Sequence, residues 1–266
     1  MKLYKYHGAG NDFLIADNRE GCISLSEADV AALCHRHYGI GADGLMLLEM
    51  AEKPYSFRMV YYNSDGSGGM MCGNGGRCIA AFAHRLGISV SDFVAADGPH
   101  SAEILSADGN VAVVRLKMGD VHGISVYGLP DLKGNFLDTG TRHFVCPVTD
   151  IDNADVDAEG RRLRHHPAFA PVGANVNFIE PSGEILRVRT FEKGVEAETC
   201  ACGTGIVASA IAWWHSLGTR RFGEPVHVDV RALHDTLAVD FTPVADGAMD
   251  VWLTGPATFV AEIVVP

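Results

Sequence analysis

A cysteine followed at fixed offsets by two glycines occurs twice in this chain, each time at the mouth of an apolar stretch of small residues. Met70-Met71-Cys72-Gly73-Asn74-Gly75-Gly76-Arg77 precedes Cys78–Leu86, which Gly87 ends; Cys202-Gly203-Thr204-Gly205 opens Ile206–Leu217, which Gly218 ends. The cysteines are 130 residues apart, and Asn63 and Lys193 each lie nine residues before their cysteine. On both sides the order is strand (Phe57–Tyr62, Ile185–Phe191), polar turn, Cys-Gly-X-Gly, helix. A matched order of this kind marks internal duplication. It predicts an α+β chain of two pseudo-symmetric mixed α/β domains, 1–118 and 119–252, with the boundary near Met118–Gly123.

The remaining stretches read as short elements. Phe13–Ala16 is an apolar strand after the turn Gly8-Ala9-Gly10-Asn11-Asp12, and Ser26 caps a helix expected over Ser26–Tyr38. Gly39-Ile40-Gly41-Ala42-Asp43-Gly44 ends that helix and leads to the strand Leu45–Glu49. Ser101–Leu105, Val111–Met118, His143–Pro147 and Asn175–Glu180 also read as strands. Met249–Leu253 and Phe259–Val265 read as two final strands, which either finish the second domain or return to the first.

Charge narrows the partners. Lys and Arg total 21 against 33 Asp and Glu, a formal net charge of -12, which repels nucleic acid and anionic lipid at long range. An anionic small molecule would then need a locally positive pocket made of backbone amides and a few cations. Seven cysteines, an odd number, argue against a disulfide scaffold. With no apolar signal core in Met1–Gly10 and no run as long as a membrane span, the expectation is a cytoplasmic protein.

The duplicated motif carries a specific chemistry. A thiol just before a helix sits among unpaired N–H groups and a partial positive potential, which favours thiolate. The same N–H groups can grip a carboxylate, and the glycines let backbone approach a ligand closely. Two such sites facing one cleft suit inversion at an amino-acid α-carbon, where one base removes a proton and a second acid returns it on the other face. One thiol must be ionised while the other is protonated, so the pair titrates jointly.

Taken singly, either cysteine reads equally well as a small buried hydrophobe; the matched context favours Cys72 and Cys202 as proton carriers. Cys78 reads as structural, Cys200 as a strand or loop residue, and Cys22, Cys34 and Cys146 as core or surface cysteines. Zinc-type Cys-x2-Cys spacing is absent, as are a GxGxxG fingerprint and a phosphate-loop Lys-Ser/Thr ending. No metal or cofactor is therefore expected.

The ordered motifs resemble those of the diaminopimelate epimerase family of pyridoxal-independent epimerases. They are Gly8–Phe13, Gly39–Leu45, Tyr62–Gly66, Met71–Cys78, Gly173-Ala174-Asn175-Val176-Asn177-Phe178 and Val188–Gly205, spread over nearly the whole chain. The resemblance implies interconversion of LL- and meso-diaminopimelate without a cofactor, with Cys72 and Cys202 as the acid/base pair. It implies that amides around Gly73, Asn74, Gly203 and Thr204 receive the reacting carboxylate, and that Asn11, Asn63, Asn175, Glu192 and Lys193 read the distal end. His143 and Glu192 would lie near the cysteines. It further implies a curved sheet around a central helix in each domain, an active site between them, residues 253–266 completing the first domain, and a homodimer.

Three positions depart from the family pattern. Lys193 stands where Arg is usual and lacks the planar two-donor fork. Gly140-Thr141-Arg142-His143 replaces a Gly-Asn-Pro-His or Gly-Ser-Pro-His type loop, and Cys200 replaces Leu. The first two leave open another amino-acid substrate on the same scaffold, and Arg142 is a candidate to supply the fork missing at 193.

Overall fold

The computed structural model describes residues 1–69, 71–218 and 221–265; Met70 of the first motif and Pro266 lie outside the described residues. The first elements are β1 (Lys2–Gly8), β2 (Asn11–Asp17), α1 (Glu27–Cys34), β3 (Gly44–Glu49), β4 (Arg58–Asn63), α2 (Gly73–Arg85), β5 (Asp92–Ala95), β6 (Gly98–Asp108) and β7 (Val111–Lys117). There follow β8 (Ser125–Leu129), β9 (Leu132–Asp138), β10 (Arg142–Pro147), α3 (Val156–Arg164), β11 (Asn175–Ser182), β12 (Ile185–Glu192) and β13 (Ala197–Thr199). The chain ends with α4 (Gly203–Ser216), β14 (Val226–Arg231), β15 (Thr236–Val244) and β16 (Gly247–Val264). Two compact units result: Met1–Lys117 with Gly255–Pro266, and Met118–Thr254.

In the first unit the strands run in sequence order from β1 to β7, and the end of β16 pairs with both β7 and β1. The sheet thus returns to its own first strand as a barrel-like wrap. Its parallel pairs, β2–β3 and β4–β5, are bridged by α1 and α2, as parallel neighbours require. In the second unit the order is β16-β15-β14-β12-β11-β10-β9-β8, with β13 beside β12. Its parallel pairs, β10–β11 and β12–β14, are bridged by α3 and α4. Val121 exchanges backbone hydrogen bonds with Ala248 at 2.8 and 2.9 Å, which lays the lead-in to β8 along β16 and turns this sheet back on itself. The same succession of pairings in both halves makes the fold pseudo-symmetric and mixed α/β.

Helices α2 and α4 are the inner ones. Every residue from Gly73 to Ala83 is buried, and so are Gly203 and Gly205–Ala212. Apolar helices surrounded on all sides belong in a core, and their Gly and Ala residues let strands approach closely. α2 packs against β1, β2, β3, β6 and β7; α4 packs against β9, β10, β11, β12, β14 and β15. Phe82 anchors α2, its ring centroid 4.8 Å from Tyr4 and 6.0 Å from Tyr6, and burial of such a ring contributes about 2–3 kcal/mol. α1 covers the other face of β2 and β3 through Val30 and Cys34, while α3 covers β10 and β11 through Val156 and Leu163. Strands covered on both faces carry unbroken apolar runs, as Phe13–Ala16 and Gly44–Leu48 do. β15, with one face outward, alternates.

Three sequence expectations are corrected. The helix expected to Tyr38 stops at Cys34: His35 turns extended, and its Nδ1 accepts from the N–H groups of His37 and Tyr38 at 3.2 and 3.1 Å. Its start is as expected, with Ser26 and Asp29 forming a reciprocal capping box. The helices after the cysteines start earlier than Cys78 and Ile206, because the glycine-rich residues are themselves the first turn. The two final strands are one, β16, whose residues pair with β15 up to Thr254 and with β7 from Gly255.

Candidate active site

Cys72 occupies the N-cap position of α2, in extended conformation with φ −108° and ψ 148°. Its Sγ accepts from the Gly75 N–H at 3.2 Å, the capping role normally given to a side-chain oxygen. A sulfur fills that role best as thiolate. No acidic side chain occupies the first turn, so its amides and the positive helix end remain available to an anion. A Cβ on Gly76 would lie 2.9 Å from Met71 Sδ and 3.0 Å from Leu116 Cδ2, so the turn is closely packed there.

A row of amides fixes Asn74 beside this turn. Buried Arg77 donates to Asn74 Oδ1 at 2.9 Å, Asn74 donates to Asn11 Oδ1 at 3.4 Å, and Asn11 donates to Asp43 Oδ2 at 2.6 Å. Arg36 bridges Asp43 and Asp12 at 2.6 and 2.8 Å, and Lys5 also pairs with Asp12. Burial alone would push the Asp12 carboxyl up; Arg36 and Lys5 outweigh it and hold it below the usual range. With a charged donor at one end and a held carboxylate at the other, each amide has a defined orientation. Asn63, opposite Gly44 at the end of β4, instead donates to Ser67 Oγ at 3.0 Å.

In the second unit Cys202 is the N-cap of α4 and is 8% exposed. Its Sγ is 3.4 Å from Thr204 Oγ1, which is 3.0 Å from His143 Nε2. His143 Nδ1 is 2.9 Å from Asn177 Nδ2, and Thr190 Oγ1 donates to Asn177 Oδ1 at 3.0 Å. Burial, joined by the charge of Lys193, lowers the imidazole to about 3, so His143 is neutral. A Cβ on Gly205 would stand 2.4 Å from Asn177 Oδ1 and 3.2 Å from His143 Cε1, so only glycine fits between relay and helix.

The other second-unit residues singled out in the sequence are held by hydrogen bonds of their own, and Thr139, which was not singled out, links the 141 loop to the helix start. Thr139 Oγ1 donates to the Thr204 carbonyl at 3.0 Å, and its N–H donates to the Thr141 carbonyl at 3.1 Å. Asn175 Nδ2 donates to the Arg142 carbonyl at 3.2 Å, and Asn175 Oδ1 accepts from the Lys193 N–H at 2.7 Å. That amide therefore ties the 142 and 193 loops together. Glu192 Oε2 accepts from Thr199 Oγ1 at 3.0 Å.

Sequence reasoning missed Asp43, Arg77, Asn177 and Thr190. Asn177 was within reach, since residues two apart on a strand share a face and Asn175 had been singled out. Thr190 is its direct cross-strand neighbour on β12, a register the sequence does not display. Other thiols differ plainly from Cys72 and Cys202 in setting. Burial pushes Cys78 far above the usual thiol range, Cys34 up to about 11, and Cys146 upward as well. Among the described residues no group of three or more His, Cys, Asp or Glu is placed to hold a metal ion.

The sequence model of the diaminopimelate epimerase family matches residues 3–123 and 136–260. The diaminopimelate epimerase of Flavobacterium psychrophilum is 40% identical over 98% of this chain and 99% of its own length. That of Chlorobaculum tepidum is 42% identical over 95% and 96%. In fold, the chain is similar to a phenazine biosynthesis protein of the PhzF family from Bacillus anthracis, with a TM-score of 0.72, 14% identity and coverage of 100% and 99%. It is also similar to a probable proline racemase from Agrobacterium radiobacter, with a TM-score of 0.69, 19% identity and coverage of 100% and 92%. By the reach of the family match and the identity to full-length relatives, this chain belongs to the diaminopimelate epimerase family.

Proposed function

We propose that this enzyme interconverts LL- and meso-diaminopimelate, one of Cys72 and Cys202 removing the α-proton and the other returning its own proton to the opposite face. The observation that carries the chemistry is the pair of matched N-caps. Each thiol stands at the start of a buried helix with no acidic residue in its first turn; Cys72 Sγ accepts from the Gly75 N–H, while Cys202 Sγ makes no capping bond and lies 3.4 Å from the Thr204 hydroxyl. The choice of substrate is supported by full-length relatives that bear the name diaminopimelate epimerase.

In each direction one sulfur, as thiolate, takes the α-proton while the other, as thiol, delivers its proton to the opposite face. Charge developing on the carboxylate is met by the first-turn amides of Gly73 and Asn74 and of Gly203 and Thr204. Preorganised donors of this kind contribute about 3 kcal/mol each to a transition state. The distal ammonium and carboxylate of diaminopimelate call for an acceptor, a cation and amides. Glu192, Lys193, Asn11, Asn63 and Asn175 supply them in this reading, with Thr141 and Arg142 shaping the same end. Ionisable thiols need reducing surroundings, which supports a cytoplasmic setting; the family resemblance supports a homodimer, which light scattering would test.

The experiment is a stereoisomer panel with the purified protein, resolved by chiral chromatography. LL-diaminopimelate should convert to the meso form and back, while lysine and glutamate remain unchanged. Turnover of one of those and none of diaminopimelate would move the chain to another substrate on the same scaffold, with Lys193 and Arg142 as the first residues to vary.

A further inference from the structure

Asn177 and Thr190 belong to no part of the reaction described above, yet they end a continuous line of side chains that starts at Cys202 Sγ. Asn177 is fully buried and Thr190 is 3% exposed. An asparagine amide can face either way, and its orientation decides what the histidine beyond it does. Thr190 bears on that choice. Its hydroxyl hydrogen has Asn177 Oδ1 as its acceptor at 3.0 Å. With the amide turned over, its NH2 would donate to Thr190 Oγ1 and the buried O–H would need another acceptor, at a cost greater than the bond itself is worth if it found none. It would also press an NH2 group, in place of an oxygen, against the backbone at Gly205, where even a Cβ would be only 2.4 Å away.

We infer that Thr190 and Asn177 are positioning residues that lock His143 in its Nε2–H form, making it a donor to Thr204 rather than a base toward Cys202. The steps follow from donor and acceptor counts. Asn177 Nδ2 donates to His143 Nδ1 at 2.9 Å, so the single imidazole proton resides on Nε2. Nε2–H donates to Thr204 Oγ1 at 3.0 Å, which leaves the Thr204 hydroxyl hydrogen to point at Cys202 Sγ, 3.4 Å away. The relay therefore presents a hydrogen to the sulfur and stabilises thiolate, with each bond polarising the next. Its role in turnover rests on the two-thiol reading; its direction does not.

Two readouts test it without substrate. In protein carrying 15N-histidine, long-range 1H–15N correlation should show His143 with Nε2 protonated and Nδ1 bare. In fully reduced protein, iodoacetamide labelling of the peptide that carries Cys202, followed by mass spectrometry, should slow about tenfold in Thr190→Val and in Asn177→Leu, the loss of one charge-assisted bond. Thr190→Ser should restore the rate to within about twofold, which a loss of packing alone would not do. Should Asn177→Leu fail to fold, the two Thr190 variants and the wild-type spectrum still decide. Protonated Nδ1 in the wild type, the arrangement expected of a base, would overturn the inference, as would unchanged labelling in Thr190→Val. Absence of diaminopimelate turnover with both readouts as expected would count against the proposed reaction and leave the relay standing.

Discussion

At the scale of single residues, the two cysteines are set apart by what surrounds them. Cys34 and Cys78 are thiols raised by burial, whereas Cys72 and Cys202 stand at helix N-cap positions, Cys72 Sγ accepting from the Gly75 N–H and Cys202 Sγ in contact with the Thr204 hydroxyl. His143 shows the same logic in a base. It titrates at about 3 in the folded chain against about 6.5 when unfolded. Between those values the unfolded chain binds a proton that the native chain refuses, so stability falls as pH drops from 6.5 toward 3, by about 2 kcal/mol on reaching pH 5. His227 runs the other way. Asp240 and Asp229 raise it, so its contribution is complete below the unfolded value and fades as pH rises through the folded one. His143→Gln removes the first effect and keeps the second. Its urea midpoint should therefore drop less between pH 6.5 and pH 5 than that of the wild type, and equal drops would contradict the assignment. The two thiols were legible as candidates in the sequence, because the motif around each is local, whereas charged Asp43 and Arg77 were not, since they act only through side chains that the fold brings to them. Thr190 was hidden because it matters only through its cross-strand contact with Asn177.

At the scale of elements, the glycines after each cysteine are helix, not the loop before it. That error has a physical source: glycine is a poor helix former, so a run of glycines reads as a turn unless the surrounding packing is known. Here neighbouring side chains crowd the space a Cβ would take at Gly75, Gly76 and Gly205. The corresponding positions of the two turns make a paired test. Ala has the better propensity at both, yet a Cβ at Gly75 would meet Cys72 Sγ at 3.2 Å, whereas at Gly205 it would overlap Asn177 Oδ1 at 2.4 Å. Asn177 is pinned on both sides and cannot give way cheaply. Gly205→Ala should lower the melting temperature by roughly 5 °C, an overpacking cost of about 2 kcal/mol, with Gly75→Ala affected less. Calorimetry on both variants checks this; the reverse order would show that the relay is not packed against the helix as described.

At the scale of the whole molecule, duplication was legible from the two motifs, and the destination of the last strand was not. Periodicity registers strand character, but it does not tell which neighbour a strand pairs with. β16 resolves the choice by serving both sheets in turn, β15 through residues up to Thr254, then β7 and β1. Ending the chain at Thr254 would uncover the β1 and β7 edges. Hydrogen exchange should then show lost protection in β1, β2 and α2 and retained protection in β10–β12; uniform protection would contradict the topology. The central claim, that one thiol removes the α-proton and the other returns its own, is tested most directly in heavy water with LL-diaminopimelate. At early conversion the meso product should carry one solvent deuterium at its inverted carbon while recovered LL substrate carries almost none, and Cys72→Ala and Cys202→Ala should each abolish inversion. Deuterium entering the recovered substrate ahead of product, or near-normal inversion by either single variant, would contradict it.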